Sequence, residues 1–395
     1  MKTRQTEFIV LMAFAMSMVA LSIDAMLPAL SQMAADLSAA HANDRQLIIS
    51  AVFVGMGVGQ LVFGVVSDTY GRKAPMILGI AVFVVGSVIS ARSDSMQWML
   101  IGRVLQGFGA AAPRTICVAI IRDCSAGAQM ARIMSLVMTV FIFVPVVAPL
   151  LGQLILYLSH WRTIFWAFVF LAALLLFWFW IRQPETLPTS SRTPLAIGQL
   201  GLTLGKIVTT RQTLVNTLAA SVTFGAFIGY LNTSQQILQE FFATGVHFAF
   251  YFGVLAAAIG LSSFVNSHLV SRFGLRSLCR FALGGILMLS LLYLSARSFI
   301  DPSLRVFMVY MLGCFFCIGT LFSNFNALAM EPMGKMAGIA ASVTGSIQTI
   351  LSLSIGFLIG RMYTDSELSL AAAFSVLSSL SLIMVFRFDP APADQ

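Results

Sequence analysis

The sequence predicts an all-α membrane protein, with twelve transmembrane helices in two pseudo-symmetric six-helix bundles. Three observations predict it. Of the 395 residues, 58% are hydrophobic and only 10% charged, against roughly 25% charged in an ordinary soluble domain. Apolar runs recur along the chain, most of them close to the roughly 20 residues that a spanning helix needs. One long polar link, residues 182–212, divides these runs six and six. The same composition excludes a soluble enzyme, whose surface needs far more charge. It also excludes a disordered chain, which is apolar-poor and charge-rich.

The runs lie at 8–30, 47–66, 76–91, 99–121, 133–157 and 164–181, and then at 213–238, 248–269, 280–295, 304–328, 338–361 and 368–386. The first follows MKTRQTEF, as in a signal peptide, but it is too long for a signal core and has no clean cleavage site. It reads as a retained span. The link holds Pro184, Pro188 and Pro194, with a surface helix expected near 195–208. The organisation is therefore an N-terminal half 1–181, a linker 182–212 and a C-terminal half 213–395.

The formal net charge is +8, and topology explains most of it. With a cytoplasmic N-terminus, fifteen Lys and Arg fall on the cytoplasmic side and six outside. That bias places both termini in the cytoplasm and requires no nucleic acid. The five cysteines are odd in number and mostly within or at the ends of spans, so no disulfide framework is expected. Gly55, Gly57 and Gly59 look like a dinucleotide loop but sit inside a span with no strand before them. No phosphate-binding loop or metal-ligand cluster is readable, so neither cofactor nor metal is expected. Nor does any nucleophile–base constellation suggest an enzyme.

The loop after span 2 carries the sharpest local pattern. Gly64 permits close helix approach, Asp68 can cap a helical turn or accept from a neighbouring helix N-terminus, and Gly71 allows a tight turn before Arg72 and Lys73. A fainter copy, Ser267 to Arg276, follows span 8. The recurrence fits an internal repeat of the kind common in transporters.

Ionisable residues inside spans are functional candidates by default. Asp24 lies in span 1 about six residues, or 9 Å, from its outer end, and Arg103 lies at similar depth in span 4. An acid and a base at one depth can pair. Two readings are open: a proton-carrying site, or a structural ion pair that never titrates. Arg103 can also snorkel to the outer interface. Arg114 follows eleven residues later, near three full turns, so it shares the face of Arg103. That makes span 4 a cavity-lining helix, with Arg114 available to anionic substrate groups or, in another state, to an acid such as Asp24. Span 5 carries Pro145, Ala148, Pro149 and Gly152, which let a helix bend and pack closely. Phe224, Phe227, Tyr230, Asn232 and Gln235 of span 7, with Phe322, Asn324 and Phe325 of span 10, mix aromatics and amides. They suit a pocket for lipophilic compounds or plain helix packing.

These motifs together resemble the major facilitator superfamily over nearly the whole chain. Gly64 to Lys73 is similar to its motif A, which latches the two halves in the outward-open state. The run around Arg103 is similar to its motif B, whose arginine is implicated in proton transfer. The stretch Pro145 to Gly152 is similar to motif C of antiporters, except that Ala148 stands where that motif has glycine. Asp24 to Pro28, Arg122-Asp123 and Trp161-Arg162 resemble the Bcr/CflA multidrug-efflux subfamily. The resemblance implies a monomeric, proton-coupled antiporter of the bacterial inner membrane. It would export drugs or other small lipophilic molecules by alternating access, with Asp24 and Arg103 in proton coupling. A transporter of a sugar, amino acid or peptide on the same fold is the alternative.

Overall fold

The computed structural model describes residues 2–192 and 197–388. Residues 193–196 of the expected linker, the tail 389–395 and Met1 lie outside the described residues. Among the described residues, twelve helices are long and apolar enough to cross a membrane. They are Gln5–Asp36, Ala42–Tyr70, Lys73–Ala91, Met96–Cys124, Arg132–Leu158, Trp161–Arg182, Arg211–Phe241, Gly245–Phe273, Leu275–Ala296, Leu304–Gly334, Ile339–Arg361 and Leu368–Phe388, hereafter spans 1 to 12. Each coincides with one apolar run, and most outlast it, because helical hydrogen bonding continues into polar flanks that hydropathy discards. A helix, Ile197–Thr209, occupies the link near the expected position.

The chain forms two compact units, Met1–Gly198 and Gln199–Gln395. In the first, span 4 packs along spans 2 and 3 and touches span 1. A side chain at Gly55 would come within 1.9 Å of the Val104 carbonyl oxygen, and one at Gly107 within 1.9 Å of that of Val52. Spans 2 and 4 therefore meet backbone to backbone. Small residues drive helix association this way where lipid removes the hydrophobic incentive. In the second unit, span 7 packs against spans 10, 11 and 12, and spans 8 and 9 both pack on span 10.

The internal repeat is visible in backbone geometry. Gly71 turns the chain between spans 2 and 3 at φ 96°, and Gly274 turns it between spans 8 and 9 at φ 75°. Both angles lie where a side chain is strained. The second copy thus keeps its turn glycine although its acidic residue is gone.

Span 1 departs from the expected uninterrupted helix. It is helical over Lys2–Asp24, breaks, makes a 3₁₀ turn at Leu27–Ala29 and resumes as Leu30–Asp36. Pro28 sits at the start of that turn, where its missing N–H and fixed φ are tolerated. The apolar run suggests an end near residue 30, but the span continues to Asp36. Asp24 is consequently twice as far from that end as its hydropathy suggests.

Candidate functional site

At one end of the first unit a charge cluster closes around Arg72. Its guanidinium bonds Asp68 at 2.5 Å, Asp123 at 2.8 Å and Ser67 Oγ at 3.1 Å. Burial alone would lower the Arg72 pKa. The bonds and charges of Asp123 and Asp68 outweigh it, so the pKa is raised and the cation is secured. Ser67 in turn donates to the Gly64 carbonyl at 3.0 Å.

The N-terminus of span 3 is capped by Glu185 and not by Asp68, which Arg72 occupies. Glu185 reaches in from the link and accepts the backbone N–H of Arg72 at 2.8 Å and of Lys73 at 3.0 Å. Its own neighbours Thr186 and Leu187 also donate to it, both at 2.9 Å. A Cβ on Gly71 would lie 2.5 Å from this carboxylate, so Gly71 serves space as well as conformation. The Lys73 side chain takes no part among the described residues. Partial burial would raise the Glu185 pKa, but the four backbone donors win and lower it.

A depressed folded pKa gives stability that is present above the unfolded value and lost as pH falls through the folded one. Glu185→Ala is expected to cost about 1 kcal/mol at neutral pH, the usual worth of a cap. The deficit should begin to shrink as pH falls through about 4.3, the ordinary value of an unfolded Glu, and vanish only below the depressed folded value. Thermal unfolding of the purified protein against pH measures it. A deficit independent of pH would contradict the cap.

Deeper in the same unit, Arg103 is fully buried. Sequence depth suggests a pair with Asp24, and the structure does not make it. Arg103 donates from Nε to the Ile48 carbonyl at 3.1 Å, from Nη2 to the Ser22 carbonyl at 3.0 Å and from Nη1 to Gln106 Oε1. Gln106 passes the chain on to Ser87 Oγ at 2.8 Å, and the Phe165 ring lies 5.6 Å from the cation. Arg103 therefore spends its donors on spans 1, 2 and 4. Its partners on spans 1 and 2 are carbonyls, because the broken end of the span 1 helix offers one at the right place. Asp24, the last helical residue before the break, is buried at 5% exposure and makes no hydrogen bond or ion pair among the described residues. A buried carboxyl without a partner is costly unless it can hold a proton or meet a ligand.

Arg114 is half-buried on span 4 and also has no partner among the described residues. Span 5 belongs to a helix, Gly127–Leu158, that runs through both Pro145 and Pro149. Ala148, Pro149 and Gly152 are buried, while Pro145 is half-buried. Gly152 faces the span 1 break: a Cβ there would sit 1.7 Å from the Ala25 carbonyl oxygen.

In the second unit the aromatic residues of spans 7 and 10 interlock. Phe224 lies 5.3 Å from both Phe227 and Phe322, and Tyr230 meets Phe315 edge-on at 4.8 Å. Phe224, Phe322 and Phe325 border one small recess with Ala220, Leu321 and Gln348. Phe224, Phe227 and Phe322 are half-buried, whereas Tyr230, Asn232, Gln235, Asn324 and Phe325 are buried. The amides are engaged between or along helices. Asn324 exchanges bonds with Asn266 of span 8 at 2.9 and 3.0 Å. Asn232 donates to the Gly356 carbonyl at 3.2 Å, and Gln235 to Gln239 at 3.1 Å and Glu240 at 3.2 Å.

Two acids in this picture belong to no motif the sequence shows: Glu185 and Glu367. Glu367, between spans 11 and 12, is fully buried and accepts from Arg297 Nε at 2.6 Å and Tyr293 Oη at 3.0 Å. Its hydrogen bond, more than its charge, raises the Arg297 pKa. Glu367→Gln leaves a cation facing a neutral amide and is expected to destabilise the protein by about 3 kcal/mol. Denaturant titration of purified variants checks this, and a loss under about 0.5 kcal/mol would refute it.

Comparison with known proteins places the chain. The sequence profile of the Major Facilitator Superfamily matches residues 11–360. An uncharacterized MFS-type transporter of Bacillus subtilis is 31% identical over 359 residues, 88% of each chain. A bicyclomycin resistance protein homolog of Haemophilus influenzae is 29% identical over 350 residues, 87% of this chain and 86% of that one. The multidrug resistance protein MdtL of Escherichia coli is 34% identical over 168 residues, 42% of this chain and 43% of its own. Among solved structures, the xylose transporter XylE of Escherichia coli shares the fold. Its TM-score is 0.79, with 11% identity over 100% of this chain and 99% of that one.

Proposed function

The chain belongs to the Major Facilitator Superfamily, and from that premise we propose that it is a proton-coupled antiporter exporting drugs or other small lipophilic compounds. That it is a multi-pass transporter of this superfamily follows from the family and the twelve spans. Cargo, direction and coupling are what we add. The observation that carries the reading is Asp24: a buried carboxyl with no partner among the described residues, at a helix break inside a span, with the buried Arg103 bonded two residues away. Ionisable groups so placed in transporters mark ion or proton pathways.

Drug-like cargo is favoured by the names of two relatives, a bicyclomycin resistance protein homolog and a multidrug resistance protein. The half-buried rings of Phe224, Phe227 and Phe322 suit lipophilic compounds, cationic ones included. Arg114, without a partner among the described residues, suits anionic groups. The likeness to a xylose transporter, at 11% identity, concerns fold and does not favour sugar import.

In this reading a monomer sits in the bacterial inner membrane with both termini in the cytoplasm. Substrate enters from the cytoplasm, a periplasmic proton binds Asp24, substrate leaves outward and the proton is released inward. The Arg72 cluster holds one state of the cycle and loosens in the other, and Pro145, Ala148, Pro149 and Gly152 shape span 5 beside the carrier.

Inside-out vesicles with an acidic lumen test it. Lipophilic cations and neutral antibacterials added outside are expected to accumulate in the lumen while lumenal protons are released. Neither uptake nor proton release from folded protein would point instead to a superfamily transporter of another metabolite.

A further inference from the structure

Gly152 invites a different account from the flexibility usually granted to glycine in a helix. Its backbone is ordinary helix, so nothing in φ or ψ demands glycine. Space demands it. A Cβ would lie 1.7 Å from the Ala25 oxygen and 2.8 Å from the Ala25 carbonyl carbon. Normal C···O contacts are about 3.3 Å or longer, so any side chain would force spans 1 and 5 apart by about 1.5 Å.

The reason that carbonyl points at span 5 lies in span 1. Ala25 N–H still donates to the Leu21 carbonyl at 3.1 Å. The next carbonyl, of Ser22, accepts from Arg103 Nη2 at 3.0 Å. Asp24's carbonyl would need the N–H of residue 28, and Pro28 has none. The 3₁₀ turn then closes through Ala29 N–H to the Met26 carbonyl at 2.9 Å, and this turn also packs on span 5. Three devices thus shape one break: Pro28 opens it, Arg103 satisfies its first carbonyl and Gly152 receives the Ala25 carbonyl.

We infer that Gly152 is a positioning residue for Asp24: it seats the Ala25 carbonyl and thereby fixes the broken backbone, and its dipoles, beside the carboxyl. The inference rests on the reading of Asp24 as the proton carrier. The charged groups on the elements packed against span 1 in this unit are few. Span 2 brings Asp44 and Arg45 at its start, where Arg45 donates to Ser31 of span 1 at 2.7 Å. Span 4 brings Arg103, Arg114 and the Cys117 thiol, with Arg122, Asp123 and Cys124 at its end. Arg132 lies at one end of span 5, and Arg162 and Arg182 at the two ends of span 6, with His160 just before it. Displacing one carbonyl adjacent to the carboxyl therefore changes its surroundings without altering any other charge.

Infrared difference spectroscopy of purified protein in lipid nanodiscs reads this without transport. The protonated carboxyl band of Asp24 is identified by its loss in Asp24→Asn and followed against pH. Gly152→Ala is expected to move its titration midpoint by at least about half a pH unit, roughly a threefold change in proton affinity. Gly79→Ala is the packing control. Its Cβ would lie 2.2 Å from that of Ala112 between spans 3 and 4, so it crowds the same unit at another interface. It should lower thermal stability and leave the midpoint in place.

If Gly152→Ala does not fold, Pro28→Ala reads the same thing from the other side. It gives Asp24's carbonyl a helical donor, draws the Ala25 carbonyl into the helix and should also displace the midpoint. A titrating band with the same midpoint in both variants, or one moved equally by Gly79→Ala, overturns the positioning role and leaves the carrier reading standing. A wild-type protein in which Asp24 never titrates removes the carrier reading itself.

Discussion

Asp24→Asn is expected to fold, insert and abolish proton-coupled export. The substitution keeps the shape and removes only the capacity to exchange a proton. The side chain has no ion pair or hydrogen bond to lose among the described residues, so the usual penalty for stripping a buried pair does not apply. An amide at this place costs less to bury than a carboxylate, and thermal stability should be equal to wild type or above it. Transport should respond in the opposite way. In acid-loaded inside-out vesicles the drug-dependent release of protons should fall at least a hundredfold, about 2.7 kcal/mol of lost coupling. Drug binding should survive, because the carboxyl acts on the proton side of the exchange. Stable, well-inserted Asp24→Asn with undiminished proton release would end the assignment. Residual downhill drug movement without proton flux would support it, since an uncoupled carrier still moves its cargo.

The part of this that the sequence carries is the part encoded locally. Hydropathy is a property of a window of residues, so all twelve spans are legible, along with the polar link. An arginine inside an apolar run is conspicuous, but between burial and snorkelling it is the packing of spans 1, 2 and 4 that buries Arg103. The turn at Gly71, and its fainter copy at Gly274, is legible because a fixed offset of small and basic residues survives. What escapes the sequence depends on meetings between distant segments. Glu185 is one acid in a polar stretch, and it becomes a helix cap only when the link folds back onto the start of span 3. Gly152 and Ala25 announce no contact in their own neighbourhoods. The partner of Arg103 escapes for a subtler reason. Counting residues along two straight helices aligns it with a carboxyl, but Pro28 breaks one of those helices and exposes carbonyls at the same level. Span 1 also runs on to Asp36, where Trp161 Nε1 bonds the terminal carboxylate at 2.8 Å. That tether holds the outer segment of the broken span by its far end.

Arg103→Ala should be the most damaging single truncation in the first unit. Removing the guanidinium leaves the Ser22 carbonyl and the Gln106 amide oxygen without a donor in a fully buried site, and takes from the Ile48 carbonyl a donor additional to its helical one. Each stranded acceptor costs about 1–3 kcal/mol, and the void left by a fully buried arginine adds to that. A loss of about 4–6 kcal/mol is therefore expected by denaturant titration, enough to deplete folded protein. Arg103→Lys separates geometry from charge. Lysine keeps the cation but offers one nitrogen in place of a rigid fork, so it cannot reach spans 1, 2 and the Gln106 amide together. Under the carbonyl-clamp geometry, Arg103→Lys should recover less than half the stability, and its drug-dependent proton release should show a displaced pH profile because the span 1 break is loosened beside Asp24. Full recovery of both stability and pH profile would mean that a positive charge at this depth is all the protein requires. The link between Arg103 and the Ser22 carbonyl would then have no part in coupling.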